Sequence, residues 1–506
     1  MKTNDINQIL QHGSTVEFVE SQLELFKKES LFINLYKSAN KPNDIADLDN
    51  IPKNDIIPEY KITSFIPASG AASRMFKSLF ETLNEISDNP DSFTLEESSN
   101  IQSPYHFFAN IRQLALYENL KEALAKDGYD IEQLLKDKDY KTILEYLLTD
   151  KGMNLGSTPK ALIPFHLYDN KFHYAFEEHI AEAISYLSAE NRNAYIHYTL
   201  SPEHIDRFLS IADKIIPEYE RKHNCKIHIS TSIQSPSTDT VAVNEDNTLF
   251  RNEDGSILFR PGGHGALIYN LNNIDSDVII IKNIDNVVPN NKLDIITSYR
   301  GRLIAHIEHL YTKRNEILKT IADGQTDSAV IESALAFIRE ELMLSLDANL
   351  DELTVNEQDE RIKDILDRPM RICGMVKNSG EPGGGPFIVQ DNNGNLSKQI
   401  IESSQIDHKN AIQEDIFKSS THFNPVDLVC MTKDYRGSKY DLTKYIDNEA
   451  SFISHKSKDG KPIKVLELPG LWNGAMSKWI TIFVEVPAES FNPVKTVNDL
   501  FREVHC

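Results

Sequence analysis

Apolar and polar positions along the chain change period repeatedly, and each change marks an element. Residues 61–67 (KITSFIP) are a short apolar run closed by small residues, which predicts a strand and then a helix starting near Arg74. Between 105 and 150 the apolar positions recur at helical spacing, first Phe108, Ile111, Leu114 and Ala115, then Leu134, Leu135, Ile143, Leu144 and Leu147. The pattern predicts a helix over about 173–187, a strand over 194–200, a helix over 202–222 capped by Ser201, and a strand over 226–232. The run 278–281 (VIII) is continuous and β-branched, as in a strand buried on both faces of a mostly parallel sheet. Residues 292–345 read as long helices broken around Asp323-Gly324, and 347–361 as a solvated loop or helix end. From 370 strands return (RICGMV, PFIVQ, LSKQIIE and, at 479–486, WITIFVEV), with a final helix from about Thr496. Before residue 60 there are two short helices and a loop punctuated by Pro42, Pro52 and Pro58. Strands alternating with helices predict an α/β fold.

Composition narrows this picture. Of 506 residues 40% are hydrophobic and 25% charged, as in globular proteins, and the length allows two to four units. The net charge of −23 repels a phosphodiester backbone, which excludes general nucleic-acid binding but not one local cluster of cations around a nucleotide. Cys225, Cys373, Cys430 and Cys506 are far apart and form no C-x-x-C pair, so neither a disulfide framework nor a zinc knuckle is expected. The first residues contain no apolar signal-peptide region and the apolar runs are too short to span a bilayer, so no membrane partner is expected and the cytoplasm is.

Six segments could carry chemistry. The first, 67–77 (PASGAASRMFK), joins a strand to a helix; its small residues let a ligand approach the backbone, helix N–H groups suit phosphate, and Arg74 could clamp phosphate oxygens. It could equally be a tight turn with no ligand. Lys160, after Pro159 and before an apolar strand, could point to the same place or lie on the surface. Gly262, Gly263 and Gly265 surround His264, making a loop that could lie against a planar base. Asp285 and Asn286 follow the buried strand, where ligands of open α/β sheets bind, and an aspartate there suits Mg²⁺ or a simple turn. Lys495 precedes the predicted last helix, and 381–386 (EPGGGP) is a Gly-rich turn between strands that reads as a hairpin loop or a lid.

In this order the segments resemble the sugar-nucleotide pyrophosphorylases, in particular the UDP-sugar and UDP-N-acetylhexosamine group. Ala68, Gly70, Arg74 and Met75 match that family's first motif, Ser73 stands for its threonine, and Ser69 and Ala72 replace glycines. Pro159-Lys160 is similar to its Pro-Lys element, Gly263-His264-Gly265 to its uracil-binding loop, and Asp285-Asn286 to its metal-binding pair. Residues 491–495 (FNPVK) resemble the stretch whose lysine contacts phosphate, and Ile401-Glu402-Ser403-Ser404 a segment near the sugar. The chain also resembles a bacterial family known as a domain of unknown function.

The resemblance implies a Rossmann-like, mostly parallel mixed sheet of the nucleotide-diphospho-sugar transferase type. Its parts would be an N-terminal helical segment at 1–60, a core at 61–435 with a helical insertion at about 78–153, and a closing α/β segment at 436–506. It implies transfer of a uridylyl or related group from a nucleoside triphosphate, UTP above all, to a sugar 1-phosphate with Mg²⁺ as cofactor. Arg74, Lys160 and Lys495 would be catalytic. Ala68, Ser69, Gly70, Ala71, Ser73, Gly263, His264 and Gly265 would bind nucleotide, and Asn286 and Glu402 substrate. Asp285 would hold the metal, with Asn424 and Asp427 as candidates for its second ligand. The alternatives are a non-catalytic nucleotide or sugar-nucleotide binding protein on the same fold, a glycosyltransferase, whose usual Asp-x-Asp is absent at 285–287, and a scaffold whose glycines are only turns.

Overall fold

An isoleucine-rich run can be buried on both faces only inside a layered sheet, and the strand Val278–Lys282 is buried at every position. The computed structural model describes residues 2–28, 31–51, 60–70, 72–90, 92–187, 191–346, 350, 353–380 and 383–505. The protein is a mixed α/β structure whose chain divides into two units, one made of Met1–Thr63, Gln234–Ile281 and Tyr299–Ala488, the other of Ser64–Ile233, Lys282–Ser298 and Glu489–Cys506.

In the first unit Met370–Lys377 pairs in parallel with Ile480–Glu485, which pairs in parallel with Ile45–Asp47. On its other side Met370–Lys377 pairs antiparallel with Asp427–Met431, so the sheet mixes both senses. A second, antiparallel sheet carries Phe452–Lys458, Lys461–Glu467 and Thr240–Val243. The two helices expected near the start, Thr3–Gln11 and Val16–Phe26, bury Ile9, Val19 and Phe26 against Val241, Val243 and Leu466 of that sheet. The long helix ends at Ala322, and Gly324 takes a positive φ of 67° where the sequence breaks.

In the second unit Asn193–Thr199 and Lys226–Ser232 pair in parallel through seven residues, connected by the helix Pro202–His223. This is a βαβ crossover. Five helices, from Lys77–Asp88 to Tyr140–Leu148, fill the segment read as an insertion. Among the described residues no helix is long and apolar enough to cross a membrane.

Three local expectations need correction. The helix expected from 173 begins at Ala175, because Lys171–Tyr174 is the second strand of a hairpin. Its turn residues Asp169 and Asn170 both have positive φ, 54° and 57°, which short polar side chains tolerate. The helix expected at Arg74 starts at Lys77, and Arg74 closes a short 3₁₀ turn, Ala72–Arg74. The last helix is only the 3₁₀ turn Val497–Phe501. The helix-end reading of 347–361 agrees with the structure, where Thr354 and Glu357 form a capping box that opens Val355–Leu366.

Candidate functional site

Three loops of the second unit meet at one carboxylate. Asp285 follows the last residue of the buried strand by three positions, and its backbone is held from two sides. The N–H of Val494 donates to the Asp285 carbonyl at 3.0 Å, and the Ile284 carbonyl lies 3.2 Å from Nε2 of buried His179. Lys160 donates to Asp285 Oδ2 at 3.0 Å and to the Val494 carbonyl at 2.9 Å. Lys495 donates to Oδ1 at 3.2 Å and to Oδ2 at 3.0 Å. Two ammonium groups therefore share one carboxylate, leaving an excess positive charge in a chain whose net charge is −23. Burial by itself raises the Asp285 pKa, but the charges of Lys160 and Lys495 outweigh it and the carboxyl ends below its usual range. The side chains differ in reach: Asp285 is 10% exposed, Lys160 15% and Lys495 56%.

The small-residue turn lies beside this cluster. Ala68 donates to the Thr199 carbonyl at 3.0 Å, and Ala72 to the Thr158 carbonyl at 3.2 Å, two residues before Lys160. The Met75 carbonyl accepts from Val497 at 3.0 Å, two residues after Lys495. Arg74 thus sits on a turn bonded to both lysine-bearing segments. Its side chain is exposed and has no bonded partner among the described residues, and Ser73 is exposed too. Gly70 has open space where a Cβ would be. Ala71 lies outside the described residues. Ser201 does not cap its helix, as the sequence suggested; its hydroxyl donates to the Ser69 carbonyl at 2.9 Å, so the first turn of a 22-residue helix has no side-chain cap. A helix N-terminus left this way attracts anions.

Asn286, expected to touch substrate, is instead a clamp. Its Nδ2 donates to the Ser490 carbonyl at 3.2 Å, its Oδ1 accepts from the Asn492 N–H at 2.8 Å, and it is buried. Both ends of the amide are thereby satisfied.

The first unit holds the remaining expected residues. Burial holds the His264 pKa down, against the opposing pull of Glu402 and Glu467. The imidazole lies 4.6 Å from the Trp472 ring, and its Nε2 is buried without a hydrogen-bond partner among the described residues. Gly263 takes a positive φ of 79°, and a Cβ on Gly265 would come within 2.1 Å of the Pro469 carbonyl oxygen. Gly265 therefore serves close packing of two loops. Asn424 and Asp427 are not available as metal ligands. Asn424 donates to the Gly374 carbonyl and accepts from Val426, while Asp427 accepts from the Tyr299 hydroxyl at 2.5 Å and forms an ion pair with Arg300 at 2.8 Å. Asp427 and Arg300 are sealed from solvent, so the carboxylate is already neutralised in the interior. Among the described residues no three His, Cys, Asp or Glu side chains are grouped as a metal cage. The Gly-rich turn at 381–386 begins with Glu381 and Pro382, which lie outside the described residues.

The family described as Domain of unknown function (DUF4301) matches residues 2–506. The chain belongs to that family. No curated protein matches the DUF4301 chain in sequence. Among solved structures it is similar to the UDP-glucose phosphorylase of Trypanosoma brucei, with 12% identity over 98% of this chain and 77% of that one and a TM-score of 0.45. The UDP-glucose pyrophosphorylase of Leishmania major, solved in open and closed forms, gives 11% identity, the same coverages and 0.44. A variant of the Leishmania major enzyme in complex with UDP-glucose gives 12% identity over 96% and 73%, and 0.43.

Three further residues of the DUF4301 chain support the cluster without belonging to a motif. Arg207, on the Pro202–His223 helix, donates to Thr158 Oγ1 at 3.3 Å and adds a cation beside the Lys160 turn. Asp499 accepts from the backbone N–H of Lys495 at 2.8 Å and of Thr496 at 2.7 Å. Gln102 donates to Asp499 Oδ1 at 3.0 Å and accepts from the Thr496 hydroxyl. The Thr496-x-x-Asp499 spacing is a readable capping signal, whereas nothing local to Gln102 or Arg207 distinguishes them from other polar residues.

Proposed function

We propose that the Lys160–Asp285–Lys495 cluster holds phosphates and that the protein is a nucleotidyltransferase. It would move a nucleotidyl group, read as uridylyl, from a nucleoside triphosphate to a sugar 1-phosphate on a fold of the nucleotide-diphospho-sugar transferase type. One observation carries the reading. Lysines 160 and 495, far apart in sequence, both reach Asp285 Oδ2 at 3.0 Å, beside a turn that presents an unpartnered arginine. The uncapped helix start and the open space at Gly70 add to it.

An oxygen of the sugar 1-phosphate attacks the α-phosphorus in line. The new P–O bond forms as the bond to the bridging oxygen of the β-phosphate breaks, and pyrophosphate leaves with the electron pair. The protein makes no covalent bond; it positions the reactants and stabilises charge on phosphate oxygens. Lys160 contacts the α-phosphate, Arg74 neutralises the departing pyrophosphate, and Lys495 grips the sugar phosphate. Before substrate arrives, Asp285 holds the two ammonium groups side by side against their mutual repulsion. A single carboxylate fits a Mg²⁺ that takes most of its ligands from phosphate and water, not an all-protein cage, so Asp285 would hold it. Bound there, Mg²⁺ would offset the negative charge of the phosphates.

A pyrophosphate-release screen of nucleoside triphosphates against sugar 1-phosphates with Mg²⁺ tests the reading. Release is expected for at least one pair and lost in Lys160→Ala; no release from any pair rejects catalysis. The binding-only reading draws on the same cluster, because its one carboxylate is already neutralised by two lysines. Thermal stabilisation by UTP without pyrophosphate release selects it.

A further inference from the structure

The helical segment 78–153, which supports the phosphate cluster through Gln102, also contains a cleft of about 610 Å³. That falls within the range of small-molecule sites, roughly 300–1,000 Å³. Part of its lining is aromatic. Tyr105, Phe108 and Tyr140 line it, the Phe108 and Tyr140 rings lying 4.4 Å apart and tilted by 39°. Its polar lining comes from Arg112 and from the Ile131–Asp137 helix with its cap Asp130. Its lining charges are Asp130 and Glu132 against Arg112 and Lys136, which cancel.

Those charges are not equally available. Arg112 is bound to Glu132 by two bonds, of 3.0 and 2.6 Å, and Glu132 also accepts from Tyr117 at 2.6 Å. Asp130 Oδ1 accepts from the Glu132 N–H at 3.0 Å as a helix cap, leaving Oδ2 without a hydrogen-bond partner among the described residues. Lys136 is exposed and has no partner among the described residues. Gln133, also exposed, donates to Asp137, and its amide oxygen has no hydrogen-bond partner among the described residues. The cleft therefore combines aromatic faces with separate donors and acceptors and carries no net charge.

An anion gains nothing from such a lining, and a purely apolar ligand would leave its polar groups unpaired. A pyranose matches it: one ring offers C–H faces to aromatic rings and hydroxyls that both donate and accept. The geometry points to this cleft as a binding site for a neutral saccharide, separate from the phosphate cluster and independent of whether that cluster is catalytic.

Calorimetric titration of the full chain with the methyl glycosides of glucose, galactose, mannose and N-acetylglucosamine, and with maltose, tests it. At least one of these probes is expected to bind with one-to-one stoichiometry. Tyr140→Ala should weaken that binding about tenfold, the scale of one lost aromatic contact. Gln133→Ala, at an exposed position bonded only to Asp137, should weaken it several-fold while leaving the fold intact. Lys160→Ala should leave it unchanged. Absence of binding by every probe overturns the inference. So does binding that survives both cleft substitutions, and so does binding abolished by Lys160→Ala, which would belong to the phosphate cluster.

Discussion

Asp285 and Asp427 each close a sequence segment that invites a metal, and each is buried against cations, yet their surroundings differ in kind. Asp427 faces Arg300 and Tyr299, and that ion pair is sealed. Asp285 faces two lysines on flexible stems, one of them 56% exposed. A guanidinium fixed in the interior satisfies its carboxylate permanently. An ammonium at the surface can leave its carboxylate for a phosphate and return. The contrast teaches that burial of an acid says little about function until the exposure of its partners is known.

Asp427→Ala removes the buried carboxylate that Arg300 meets at 2.8 Å and to which the Tyr299 hydroxyl donates, and should cost about 3–5 kcal/mol of stability, read by chemical denaturation. Asp285→Ala should cost clearly less, because Lys495 can turn to water; equal losses would erase the distinction. Next comes the reaction itself. Lys160→Ala should remove about 2–4 kcal/mol of transition-state stabilisation with the melting temperature nearly unchanged, measured as kcat/KM for pyrophosphate release. A folded Lys160→Ala protein with full turnover would take that lysine out of the mechanism.

A smaller effect is expected one bond further out. Gln102→Ala loosens the Asp499 cap under Lys495 and should raise KM for the sugar phosphate by roughly the value of one hydrogen bond, about 1 kcal/mol, with kcat little changed. A change in kcat alone would point to another role. The smallest effect concerns pH. The folded Asp285 pKa is lowered from 3.8, so its ion pairs contribute fully above pH 3.8 and are lost only as pH falls through the lower folded value. Between neutral pH and pH 5, Asp285→Asn should therefore leave the slope of stability against pH unaltered, and its difference from the parent should shrink only in stronger acid. Convergence of the two at neutral pH would contradict the assigned pairing.

Much of this cluster was legible in short stretches of sequence. Pro159-Lys160, Asp285 after its isoleucine run and Lys495 after Pro493-Val494 each read as local chemistry, and the structure joins all three. The strand and helix periods from 193 to 232 were also legible, because there each apolar face is set by neighbours in the same element. What escaped depends on partners remote in the chain. That Asn286 would bond Ser490 and Asn492, that Asp427 would meet Arg300, and that Ser201 would turn to Ser69 instead of capping its helix all follow from packing across long separations. No period or propensity encodes those choices. The hairpin at 164–174 was missed for the opposite reason: its Asp169-Asn170 turn signal is local, but the helical pattern directly after it masked it.

The return of the chain at 489–505 has a consequence for how the molecule reaches this state. Lys160 bonds the Val494 carbonyl 334 positions away, and buried His166 meets His505 at 2.9 Å across 339. Such distant partners are among the slowest to find each other. During synthesis the Asn193–Lys226 pairing can form before the 489–505 stretch is made, but the second lysine can reach Asp285 only once that stretch has left the ribosome. A nascent chain stalled before that stretch would therefore contain much of the second unit's framework without its paired cations.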